Sequence, residues 1–165
     1  MTDPSWLLID EQGERWTAAV AARLRREPGP RPLVRRVSPL PVNDIAAHAA
    51  VFVAIELRRD NALAALRQLQ DLRRRPNLAA AALISATSIA DPLARDDLGL
   101  AALEAGACLT VDSPRRLAPL LSAVRRSLDL ASRDLERRLS ASDHMWPTER
   151  VWRRLPWQAE PWPVG

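Results

Sequence analysis

The stretch Val51–Leu57, "VFVAIEL", decides the fold of this sequence. Val51, Phe52, Val53, Ala54 and Ile55 can all be buried at once. A short, continuous apolar run fits a strand covered on both faces, the condition of a parallel sheet. Glu56 then arrives where such a strand would leave the sheet. A carboxylate there, and a glutamate rather than an aspartate, asks for an explanation.

On either side of this run, apolar segments alternate with helical patterns. "WLLI" (6–9) is a short strand. "ERWTAAVAARLRRE" (14–27) is helical, with Trp16, Val20 and Leu24 on one face. "EPGPRP" breaks it, and "LVRRV" (33–37), with its two arginines, suits a strand near an edge. "VNDIAAHAA" (42–50) suits a short helix. After the 51–57 strand, "DNALAALRQLQDLRRR" (60–75) predicts a helix capped by Asp60 or Asn61, lined by Leu63, Leu66 and Leu69, and ended by Pro76. "AAALISA" (80–86) is a small-residue strand for a crowded position. "DPLARDDLGLAALEAGA" (91–107) opens on an Asp cap and Pro and closes on Gly106 in a left-handed conformation. "CLTV" (108–111) predicts a fifth strand that Cys108 enters as a small hydrophobe. A long helix follows over 113–139. Leu117, Leu120, Leu121, Val124, Leu128, Leu135 and Leu139 lie near one stripe, and Pro119 marks its true start or kinks it.

Repeated strand–helix alternation implies an α/β, three-layer sandwich: a parallel sheet with helices on both faces. Right-handed crossovers and five strands point to the flavodoxin-like order 2-1-3-4-5. In such sheets functional groups gather beyond the carboxyl ends of the strands, next to the switch in strand order. That brings Asp10, Glu11 and Glu56 together.

The chain has 165 residues, 47% of them hydrophobic, enough for one domain, 1–139, and a tail, 140–165. No apolar stretch approaches the ~20 residues that cross a bilayer. The amino terminus lacks the basic segment of a signal peptide. A single cysteine forms no internal disulfide and supplies too few thiolates for a zinc box, which fits a cytoplasmic setting. All 24 basic residues are arginine and none is lysine, so a formal charge of only +4 carries the isoelectric point high. The basic balance is the mark of a GC-rich composition rather than of nucleic-acid binding. Chemistry that requires a lysine is excluded.

Four segments carry a resemblance to the receiver domain of two-component response regulators, over about residues 5–130. "LLIDE" resembles the family's first strand with its acidic pair. "FVAIEL" resembles the third strand, which ends in the phosphoacceptor aspartate. "LISA" resembles the fourth strand with its hydroxyl residue. "ALEAGACLTVDSPRRL" resembles the passage into strand five, where the family has an Ala-Gly-Ala turn and then a Lys-Pro pair. The resemblance places Asp10 and Glu11 at the acidic pair that holds Mg²⁺ and Glu56 at the phosphoacceptor. It places Ser85, or less well Thr87, at the switch hydroxyl and Val111 at the lysine.

Two departures count against phosphotransfer. Glutamate is one methylene too long, and a displacement of that size can cost ~100-fold in rate. Loss of the lysine removes a preorganised cation facing the transferred charge, and Asp112 adds a negative one. The resemblance then implies a non-catalytic, stand-alone pseudo-receiver that works by protein–protein contact or self-association. A weak Mg²⁺ site survives at most, and no other cofactor is implied. Glu56 then fits a solvated acid paired with Arg58 or Arg59, or a mimic of a phosphorylated aspartate. The alternatives are a single-domain regulator that still accepts phosphate at Asp10 or Glu56, and a binder acting through the tail.

That tail, "MWPTERVWRRLPWQAEPWPVG", holds Trp146, Trp152, Trp157 and Trp162 among closely spaced prolines and arginines. It suits docking on its own domain or on a protein partner, where Trp and Arg serve as anchors. Glu149 and Glu160 dilute its charge, which makes nucleic acid or a membrane surface the weaker partner. "SASDH" (140–144) predicts a hinge before it, and His48 and His144 are expected to be structural or surface residues.

Overall fold

The computed structural model describes residues 5–13, 16–28, 31–40, 50–75 and 78–143. In chain order the elements are β1 (Trp6–Asp10), α1 (Trp16–Leu24), β2 (Leu33–Val37), β3 (Val51–Leu57), α2 (Ala62–Arg73), β4 (Leu78–Ile84), α3 (Pro92–Ala105), β5 (Thr110–Val111) and α4 (Ala118–Asp143). The strands form one all-parallel sheet in the order β2-β1-β3-β4-β5, the flavodoxin-like winding. β3 is its middle strand and is buried at all seven positions, as its unbroken apolar run requires.

Alternation along the strands sorts side chains between two cores. Leu7, Ile9, Phe52, Ala54, Ala81, Leu83 and Val111 meet Trp16, Val20 and Leu24 of α1, together with Leu117, Leu120, Leu121, Val124 and Leu128 at and within α4. Leu8, Val51, Val53, Ile55, Leu57, Ala80 and Ala82 meet Ala65, Leu69 and Leu72 of α2 and Ala102 and Ala105 of α3. The edge strand β2 leaves Arg35 and Arg36 exposed, consistent with its sequence.

Several local expectations change. The buried side of α2 is Ala65, Leu69 and Leu72, whereas Leu63 is 63% exposed. Successive steps of three rotate by about 60° around a helix, so Leu63 and Leu69 do not share a face. β5 is only Thr110–Val111. Cys108 precedes it and is exposed, while its N–H donates to the Ala80 carbonyl at 2.7 Å. α4 continues to Asp143, so residues 140–143 are helix rather than hinge. Pro119 lies in the first turn of α4, where a missing N–H removes no helical bond.

Asp91 caps α3 through Oδ1, which accepts from the Leu93 N–H at 3.1 Å, and Gly106 ends it at φ +116°. The helix predicted over 42–50, His48, His144, the four tail tryptophans Trp146, Trp152, Trp157 and Trp162, and the Leu135 and Leu139 side chains lie outside the described residues.

Candidate functional site

The exits of β1 and β3 lie side by side, with Asp10 opposite Ile55 in the register. Alternation then divides the three acids. Asp10 follows Leu8 toward the α2/α3 layer, and Glu56 follows Phe52 and Ala54 toward α1 and α4.

Glu56 is 1% exposed, and its Oε2 accepts the backbone N–H of Gln12 at 2.6 Å and of Gly13 at 2.9 Å. It is not the solvated strand-end acid expected from sequence. The extra methylene of glutamate carries the carboxylate off the end of β3 onto the β1–α1 loop. There two successive N–H donors offset the cost of burying it. Asn61 holds the other side of this exit. Its Nδ2 donates to the Glu56 carbonyl at 2.9 Å, and its Oδ1 accepts from the Arg58 N–H at 2.7 Å. Asn61 therefore ties the β3–α2 turn and makes no side-chain cap bond to α2.

Glu11 is 3% exposed and turns toward α1. Its Oε2 accepts from the Thr17 N–H at 2.9 Å in the first turn of that helix, where a negative charge is favoured. Its Oε1 lies 3.5 Å from the Arg36 Nε of β2, and the same guanidinium donates to the Glu11 carbonyl. Asp10 is 9% exposed. Burial pushes its carboxyl above the ordinary aspartate range, a backbone hydrogen bond at Leu40 opposes the shift, and the nearby Glu56 charge adds to it.

Guanidinium groups do reach this region. Arg58 extends over the loop so closely that a Cβ on Gly13 would collide with its Nη1. Its Nε also bonds Asp60 Oδ1 at 3.2 Å, which holds the Asp60 carboxyl below its usual range. Arg36 and Arg58 thus bring guanidinium groups to a mouth that has no lysine.

Ser85 is fully buried one residue beyond β4. Its N–H donates to the Leu57 carbonyl at 2.9 Å, and its Oγ lies 3.2 Å from Thr87 Oγ1 and 3.4 Å from the Ser88 N–H donor. The hydroxyl is built into the 85–88 turn. Val111 pairs with Leu83 and is buried in the α1/α4 core. The Xaa-Pro step beyond β5 is Ser113–Pro114, two residues further on. Neither Val111 nor Ser113 carries a cation.

The Mg²⁺ expected of a receiver needs converging carboxylate oxygens. Glu56 is engaged by two amides and Glu11 by Thr17 and Arg36. Among the described residues no group of three His, Cys, Asp or Glu is placed to hold a metal ion. The acids present do not fit that metal.

Gln12, Gly13, Arg36 and Asn61 are the site residues that sequence reasoning missed. Gln12 and Gly13 act through their backbone, which no residue-type motif reveals. Gln-Gly directly after an acidic pair was the available signal for a turn with exposed N–H groups. Among the described residues no helix is long and apolar enough to cross a membrane. Comparison of the chain with protein-family models, with curated proteins and with solved structures finds no match.

Proposed function

We propose that the chain is a stand-alone, receiver-like protein–protein interaction module of two-component signalling that does not accept a phosphoryl group. The Glu56 carboxylate carries this conclusion. A buried oxygen that already accepts two N–H bonds is withheld from an incoming phosphorus atom. With no lysine in the chain, the ammonium that would stabilise transferred charge is missing as well.

The binding role is supported by Leu93, Leu100 and Leu103, which stand exposed along one side of α3. It is also supported by α4, whose backbone runs twelve residues beyond Ala131, itself packed on the α1/α4 core. The α3, β5 and α4 face is the contact surface of the family that the sequence resembles. The single cysteine favours a reducing, cytoplasmic compartment.

Intact-mass measurement after incubation with acetyl phosphate and Mg²⁺ tests the central point. The expected product is unmodified protein. A stable gain of one phosphoryl group that is lost in Glu56→Gln or Asp10→Asn would overturn it in favour of a phosphate-accepting regulator.

A further inference from the structure

On the α1/α4 side of the molecule, a groove of about 350 Å³ opens between α1 and the β5–α4 turn. It is lined by Arg23 and Arg26 of α1, Arg115 and Arg116 of the turn, and a floor that includes Ala19 and Leu117. Among the described residues no carboxylate contributes to its walls. Arg23 is shared with Glu27 at 3.0 Å. Among the described residues no acid pairs with Arg26, Arg115 or Arg116. Four guanidinium groups therefore line one concave place.

We propose that this groove binds a small phosphorylated ligand of the diphosphate class. Guanidinium groups match phosphoryl oxygens with paired, charge-assisted donors, and arginine is better suited to this than lysine. A terminal phosphoryl group brings about −1.5 to −2 charges at neutral pH, so a diphosphate matches three uncompensated arginines better than a single phosphate does. The volume falls within the range of roughly 300–1,000 Å³ of small-ligand sites, with room for more than the phosphates alone. The apolar floor lowers the local dielectric and strengthens each contact. The groove is a different place from the Glu56 site, so ligand binding here and phosphoryl acceptance there stand or fall separately.

Titration calorimetry of the full chain with sodium pyrophosphate, without added metal and at ionic strength fixed with sodium chloride, tests the assignment. The expected result is saturable 1:1 binding that weakens as salt rises. The double variant Arg26→Gln/Arg115→Gln should lose roughly 100-fold or more in affinity, at about 10-fold or more for each charged hydrogen-bonding group removed. Arg67→Gln/Arg74→Gln, on α2 and at its C-cap across the sheet, removes the same formal charge and should bind as the parent does. Circular dichroism confirms that both variants are folded. Absence of saturable binding by the parent, or equal weakening in the two double variants, overturns the proposal.

Discussion

At Glu56 a single methylene decides which atoms the carboxylate meets. An aspartate ends too early to reach the Gln12 and Gly13 amides, so Glu56→Asp should leave a buried carboxylate without these two donors. The expected loss is about 2–4 kcal/mol, at roughly 1–3 kcal/mol for an unsatisfied buried polar group and more for a charged one. It would be read from the urea midpoint at unchanged slope. Glu56→Gln keeps an acceptor oxygen and should lose less, about 1–2 kcal/mol. Asp10 acts in the opposite sense. Its carboxyl is held above the ordinary aspartate range, chiefly by burial, so the folded state binds its proton more tightly than the unfolded chain does. This term leaves stability intact below the unfolded value near 3.9. It then lowers stability as pH rises through the raised folded value. Asp10→Asn should therefore flatten the decline in thermal midpoint between pH 4 and 7 and stabilise the protein at neutral pH. An unchanged pH profile would refute it.

At the scale of the element, the α3–β5 passage depends on Gly106. Its φ of +116° is strained for any other residue, and a Cβ there would lie 2.8 Å from the Arg73 Cβ and Cδ of α2. Gly106→Ala should cost about 1–2 kcal/mol or more by thermal denaturation. The sequence marked this turn correctly because Gly after a periodic segment has a conformational cause. It marked Trp16, Val20 and Leu24 for a similar reason, since steps of four stay on one helix face. Of Leu63, Leu66 and Leu69, Leu69 is buried and Leu66 packs against the core, but Leu63 is exposed because steps of three drift around the helix. The Glu56–loop contact was illegible for a deeper reason. Both donors are backbone groups, and the acceptor is more than 40 residues away in the chain.

For the molecule as a whole, the five-strand winding was readable because strand–helix alternation leaves few right-handed alternatives. What surrounds it was not. The exposed leucines of α3 have no role in either core, so removing them should leave the fold alone. Leu93→Ser/Leu100→Ser/Leu103→Ser is expected to shift the thermal midpoint by no more than a few degrees. It should also abolish self-association or partner capture, followed by light scattering and pull-down with the intact chain. Loss of the fold in this variant would assign α3 to the core instead of to a contact face.

The Glu56 grip on the Gln12 and Gly13 amides spans 44 and 43 residues of chain, so it forms only after β1 and β3 have paired. These two N–H groups become a clock for assembly. In a deuterium-labelling pulse during refolding they should gain protection together with the central sheet, well after α1. In the native protein they should exchange only when the sheet itself opens.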